Sequence, residues 1–448
     1  MRKLLVLAGM VLAMGWVGAP AASAVTDDTA VLQRRIDALP EGGTLALEAR
    51  SYRFQDLRIG RSLTIVGRGE ERTLCQRGTA RPFFTVTGET TRVSFQKMTL
   101  DGGRLEAAGI NAVGIAWLHL DGVRVRRCGV PPAGSIPSDR DGKSIDGVYA
   151  TDVEQALVQH CLLEANARDG FIGIPVRHLT FTGNVCRGNG RMGCTSDVDP
   201  EGRTGGPLEV VYQDNEVSDC GTGGLHVETE ERYPVAVGLF ERNKVDRVGN
   251  RDWGYSWGLV LGLHCRGVLR ANRITGTGLQ STLQSYRCGI LVAKPGGDVV
   301  IEGNRVQDSG RSGISVGDSP YPVTLLDNQV QGSRLAGITA YKVEHLRIER
   351  CTVEAAGQWG LWCRLCPGAV VRGNHLRGNS SEAPGRYAAA MAEASPGILF
   401  QDNDFGGPPQ SMGLELGSNF LALATKMEGN TFEGRRSHPK LSSFSTSN

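Results

Sequence analysis

Aromatic residues are scarce in this chain, at 6% of 448 positions, and net charge is nearly absent, at +2. The balance of 49 basic and 47 acidic residues excludes a strongly basic nucleic-acid binder and an acidic disordered chain. Beyond residue 24 no apolar run approaches the ~20 residues of a bilayer-spanning helix. Phosphate-loop, His-Glu-x-x-His, Gly-x-Ser-x-Gly and paired zinc-ligand spacings are all missing. These absences remove nucleotide hydrolysis, zincin chemistry and the usual serine-hydrolase elbow from consideration.

What is abundant is glycine, with 61 residues and no Gly-x-y period. Glycine at that level without collagen periodicity points to a fold with many tight turns. The N-terminus has a short basic start at Arg2 and Lys3, an apolar stretch from Leu4 to Val17, and Ala22-Ser23-Ala24. This pattern reads as a secretory signal peptide over residues 1–24, so the mature chain is expected to be secreted or periplasmic, with no membrane span. Eleven cysteines follow, and an odd number leaves at least one unpaired in a monomer. Cys363 and Cys366 form a lone C-x-x-C, read as a local disulfide or two free thiols rather than a metal site.

The decisive feature is a repeat. Val299-Val300-Ile301-Glu302-Gly303-Asn304-Arg305-Val306 recurs as Val323 to Val330 and again as Leu346 to Val353. Equivalent positions Asn304, Asn328, Cys351 and Asn374 are spaced 24, 23 and 23 residues apart. Further copies centre on Cys161, Asn184, Asn215, Asn243, Asn272, Asn403 and Asn430. Each unit holds short apolar runs of period 2 separated by Gly, Asn, Ser and Asp, which specifies strands and turns. The recurrent Asn is read as a turn residue that tolerates left-handed backbone. A single unit cannot bury its apolar face, but stacked units can, about 4.8 Å apart. The expected fold is all-β, a parallel β-helix of roughly a dozen coils. Propeller blades would need about 40 residues each. Residues 27–39 form an amphipathic helix with a Val31, Leu32, Ile36 and Leu39 stripe, placed to cap the open end. The solenoid is assigned to residues 25–436 as one domain, and the Ser-rich 437–448 as a disordered tail.

Residues 26–67, with Asp27-Asp28-Thr29-Ala30, the helix, Gly42-Gly43-Thr44 and Ser62 to Gly67, resemble the opening of pectin-lyase-like right-handed β-helix proteins. The Gly-Asn-x-Val repeats are similar to the same superfamily. The resemblance implies right-handedness and carbohydrate-directed activity, in a group that includes lyases, hydrolases, epimerases and non-catalytic surface proteins.

Aligning the glycines Gly147, Gly170, Gly193, Gly224, Gly258, Gly289, Gly313, Gly337 and Gly360 puts Val148 to Leu361 inward and two rows outward. Only two adjacent coils then carry outward carboxylates, Asp197 and Glu228, with His226 beside them and Asp199 and Glu230 just past the strands. Like charges on neighbouring strands repel, so the pair is expected to serve a purpose, unless solvent and nearby arginines satisfy it. The first expectation is a polysaccharide lyase acting on an acidic glycan by β-elimination, with Arg191 or His226 in proton transfer. Asp197, Asp199, Glu228 and Glu230 would then hold Ca²⁺ or, for Asp197 and Glu228, help neutralise the substrate. The second is a glycoside hydrolase with Asp197 and Glu228 as its carboxylates. The third is a non-catalytic glycan-binding or surface scaffold.

Long insertions at 130–146, 249–257, 277–287, 198–207 and 229–236 flank this face and would wall a groove. Arg168, Arg251 and Arg287 are candidates for binding sugar carboxylates or sulfates, and Tyr149, Trp253, Tyr255 and Trp257 for stacking on sugar rings. Lys294, Asp318 and Lys342 recur at one position and read as a charge ladder. Asp197-Val198-Asp199 and Gly224-Leu225-His226 only loosely echo the Asp-Asp and Gly-His-Gly patterns of hydrolytic β-helices, and Asp199-Pro200-Glu201 is not the epimerase Asp-Pro-His.

Overall fold

The computed structural model describes residues 27–130, 145–198, 202, 205–249, 251, 255–281, 287–408, 413–416 and 425–432. The proposed signal peptide and polar tail lie outside these residues. The chain winds into a parallel β-solenoid of about 13 turns. Each turn contributes short strands to three stacked faces, as Ala236–Glu241, Lys244–Asp246 and Ser256–Leu261 do in one coil. Every inter-coil pairing is parallel, and register carries through successive coils, for example Phe181 to Tyr212 to Phe240 to Leu269 on one face.

Alternation of side chains along each strand sends one row inward. Val148, Phe171, Cys194, Leu225, Leu259, Ile290, Ile314, Ile338 and Leu361 align coil upon coil and are all buried. A second row stacks aromatics, with Phe181, Tyr212 and Phe240 ring centroids 6.2 and 5.0 Å apart. One continuous core runs from Leu32 to Leu414.

The corners correct the expected role of asparagine. None of the described asparagines has a left-handed backbone; the residue before each corner asparagine does, as at Asp214 (φ 53°), Arg242 (φ 53°), Ala271 (φ 54°) and Gly303 (φ 61°). The asparagine itself is buried and forms a ladder. Asn215 Nδ2 donates to Asn243 Oδ1 at 2.9 Å, Asn243 to Asn272 at 3.0 Å, and Asn272 to Asn304 at 2.9 Å. Each Oδ1 also accepts the backbone N–H of the preceding asparagine, and each Nδ2 also donates to a carbonyl, as Asn272 does to Phe240 at 2.9 Å. Asn tolerates a sharp corner, but its use here is to satisfy buried backbone groups where strand pairing is interrupted. Cys351 replaces one rung; Asn328 Nδ2 lies 3.8 Å from its Sγ.

The helix spans Thr29–Asp37 and buries Leu32 and Ile36 over the first coil. Val31, expected in its stripe, is instead 49% exposed. Asp28 does not cap the helix; it binds Arg50 and the Arg53 N–H. All eleven cysteines are free and buried. Cys363 and Cys366 therefore stand as thiols, and burial pushes thiols such as Cys220 up to about 12. Cys366 departs from this, its thiol lowered by the hydrogen bond with Cys363, while the other cysteines fill core space. Among the described residues no helix is long and apolar enough to cross a membrane.

The ladder predicts a position-dependent loss. Asn272→Ala, inside the ladder, should lower unfolding free energy by about 2–3 kcal/mol, because it orphans buried donors and acceptors on both sides. Asn430→Ala, at its end, should cost less than half of that. Urea midpoints for the two variants check this; equal losses would show that the ladder does not act cooperatively.

Candidate active site

The outward row of the grooved face follows the expected register: Tyr149, Ile172, Thr195, His226, Val260, Leu291, Ser315, Thr339 and Trp362 stand on successive coils. Two positions further on, the Glu228 N–H donates to Ser196 O at 3.0 Å, just as the Asp197 N–H donates to Gly173 O at 2.9 Å. Asp197 and Glu228 therefore occupy equivalent places on adjacent coils. A groove of about 960 Å³ opens over this face, lined by Arg191, Asp197, His226 and Glu228 at one end and Tyr341 and Trp362 at the other.

His226 pairs with one of the two acids, Glu228. Its Nε2 lies 3.2 Å from Glu228 Oε2, and its ring is buried against Trp257 at a centroid distance of 6.0 Å. Burial disfavours the imidazolium, but the hydrogen bond and charge of Glu228 and the charge of Asp197 outweigh it, so His226 is raised above 6.5. Asp197 is pushed up to about 6, first by burial and then by the charge of Glu228, against the pull of His226, the Val198 N–H and Arg191. One carboxyl thus tends to hold a proton while its neighbour is tied to an imidazole, a division that acid–base chemistry uses.

Beneath the acids lies a buried ionic stair that the sequence pattern did not reveal. Arg168 donates from Nε and Nη2 to Asp146, both at 2.9 Å, and its side chain is 1% exposed. One coil on, Arg191 makes the same bidentate contact with Asp169, with Nε–Oδ1 at 2.7 Å. Burial alone would lower Arg191, but Asp169 raises it, and in return Arg191 holds Asp169 below its ordinary range. Arg168, by contrast, is brought down to about 10 by burial and the charge of Arg191. Arg168 is therefore a buried partner of Asp146 and not a groove residue, and Arg191 is a fixed cation at the groove wall.

The other expected residues divide. Tyr255 and Trp257 stack at 4.7 Å and line the groove beside His226. Tyr149 stands on the same outward row, but two coils away from Thr195 and outside the groove. Arg251 lies against Gly221, and Arg287 donates to Ser281 O at 2.8 Å; neither lines the groove. Glu230 turns to Arg232 at 2.7 Å. Asp199 and Trp253 lie outside the described residues. Among the described residues no three His, Cys, Asp or Glu side chains converge to hold a metal ion. The imidazole of His226 takes up Glu228 there, whereas Ca²⁺ is held by six to eight oxygens.

A family model for the right-handed β-helix region matches residues 268–434. The fold is that of a parallel β-helix, and the right-handed family model covers its C-terminal part. Among solved structures this β-helix is similar to the catalytic unit of a thermostable GH87 α-1,3-glucanase from Streptomyces thermodiastaticus, at 12% identity and TM-score 0.52 over 92% of this chain and 68% of that one. It is also similar to the N-terminal fragment of bacteriophage Phi29 gene product 12, at 11% identity and TM-score 0.53 over 88% of this chain and 71% of that one. A mannuronan C-5 epimerase A-module of Azotobacter vinelandii aligns over 94% of this chain and 96% of its own at 14% identity and TM-score 0.34. No curated protein matches the sequence. At such identities the likeness is one of fold.

The far half of the groove was not anticipated. Lys294, Arg311, Asp318, Tyr341, Trp362 and Arg364 all line it. Most fall on the two outward rows or directly after them, so the signal was present, but attention to carboxylates alone passes over it. Lys342 approaches Asp318 at 3.9 Å, as the charge ladder implied.

The titrations have a definite sign. Asp197 binds its proton more tightly folded than unfolded, so stability falls as pH rises from 3.8 to about 6. The raised His226 adds stability that is present below 6.5 and lost as pH climbs through its folded value. Both effects weaken the fold toward alkaline pH. Asp197→Asn should remove the first, raising unfolding free energy at pH 7 by on the order of 1 kcal/mol and flattening the decline between about 4 and 6. Thermal midpoints across that window for wild type and variant provide the check.

Proposed function

We propose that this β-helix is an exported carbohydrate-active enzyme that cleaves glycosidic bonds in its groove, with Asp197 as proton donor and Glu228 as the partner carboxylate. The observation that carries this reading is the contrast between Asp197, raised to about 6, and Glu228, tied to His226 one coil away. In glycoside hydrolysis one carboxyl protonates the leaving oxygen, and the other attacks or activates water. In-register coils about 4.8 Å apart bring two such groups onto one floor. Tyr255 and Trp257 supply an apolar face for a sugar ring beside the acids. The fold shared with an α-1,3-glucanase catalytic unit is compatible with this.

The β-elimination reading keeps one specific support. Arg191 is a fixed cation at the groove wall, placed to neutralise a sugar carboxylate. Its guanidinium is held charged by Asp169, so proton abstraction would fall to His226 and not to Arg191. Calcium enters as a test of the same reading, with Asp197 and Glu228 offering two of the oxygens it would need.

A panel of acidic and neutral polysaccharides separates these possibilities. New reducing ends without the ultraviolet absorbance of an unsaturated uronide are expected, with activity declining above about pH 6 as Asp197 loses its proton. Asp197→Asn and Glu228→Gln should each lower kcat by a factor of at least about 10² while leaving the fold intact. Chelator should not change the rate. Unsaturated product would select elimination, and no turnover of any glycan would select a binding scaffold.

A further inference from the structure

The acids do not sit at the centre of the groove. On the coil before Asp197 the outward residues are Ile172 and Ile174, yet they are only 1% and 4% exposed. Neither lines the groove, so among the described residues its lining stops at the coil of Asp197. In the other direction it continues from His226 through Val260, Leu291, Ser315 and Thr339 to Trp362. Five coil steps of ~4.8 Å make this arm roughly 24 Å long.

The arm changes character along its length. Next to the acids, Val260, Cys288 and Leu291 form a small apolar cluster packed with Trp257, separate from the solenoid core. Beyond them the floor turns hydroxylic at Ser312, Ser315 and Thr339. It ends on a second aromatic platform. Trp362 lies 5.1 Å from Trp359, which in turn meets Tyr387 edge-on at 4.8 Å. Beside it Tyr341 is 38% exposed and is flanked by Arg364 and Lys342, 5.8 and 5.1 Å from its ring. Lys294, Arg311 and Arg364 line this half together with Asp318, and Arg364 also pairs with Glu393 at 3.4 Å.

We infer that the groove is a one-sided binding track for an extended acidic glycan, which places the scissile bond within one or two sugar units of a chain end. The arm offers apolar faces and hydroxyls in turn, both of which a polysaccharide presents, and its lysine and arginines suit uronate or sulfate groups. Tyr341 and Trp362 then form a distal stacking site that sets how long a chain the protein prefers. The inference rests on the glycosidase reading for its account of the product, but not for its account of binding.

The experiment separates the two. Titrations of the Asp197→Asn protein with oligouronides of two to eight units should give affinities that climb with each unit until about six. In Tyr341→Ala and Trp362→Ala on that background the climb should stop about two units earlier, with the longest chain bound about tenfold more weakly. Because Tyr341 is exposed, its loss leaves the fold intact even if Trp362→Ala proves unstable. Wild type acting on polymer should release mono- or disaccharides from the first minutes while viscosity falls slowly. Length-dependent binding without turnover would retire the glycosidase reading and keep the track. A plateau at two or three units, equal preference for a neutral glucan ladder, absence of binding to every ladder, or early collapse of viscosity would overturn the inference.

Discussion

Everything in this molecule follows from one constraint, that each coil must lie in register on the coil before it. Backbone pairing fixes the spacing along the faces, and the asparagine ladder fixes it at a corner where strand pairing lapses. The ladder matters because it is buried: amide groups with no water to fall back on must find each other. A residue's position within its repeat therefore determines both its face and its neighbours on the coils above and below. The inward rows of Val, Leu, Ile and Phe are the consequence for stability. The outward rows are the consequence for chemistry.

The site is built by violating the pattern at a few rungs of those outward rows. Elsewhere they carry Val260, Leu291, Ser315 and Thr339; at adjacent coils they carry His226, Asp197 and Glu228. The cost of placing two acids together is lessened by the imidazole paired with Glu228 and by Arg191 at the wall. Arg191 is itself held from below by Asp169. The stair of Asp146, Arg168, Asp169 and Arg191 is unusual in putting full charges inside a solenoid. Its bidentate geometry satisfies each guanidinium and so allows that burial. Rigid support of this kind is what holds a catalytic constellation in place.

The sequence made the fold legible because the period-2 pattern and the repeat spacing are both written in residue type. The inward and outward phase at Ile314 or His226 could be read from its distance to a glycine alone. What escaped was anything set by pairing across coils. Arg168 looks like any surface arginine until Asp146, 22 positions earlier, closes on it. The corner asparagines look like turn formers, since nothing local shows that each faces another about one coil away. Val31 sits in an apolar stripe by spacing but faces solvent, because the short helix covers the core only with Leu32 and Ile36. Tyr341 and Trp362 were in the right phase but were overlooked, because titratable groups signal chemistry more loudly than aromatics do.

The register also makes the groove a ruler. Each repeat adds one graduation to its length, and solenoid coils touch only their neighbours. Inserting or deleting a single repeat between Leu291 and Trp362 would move the far aromatic platform by one rung while leaving the acids untouched. A protein of this construction can change the length of its groove by counting repeats, with no redesign of the coils that carry Asp197 and Glu228.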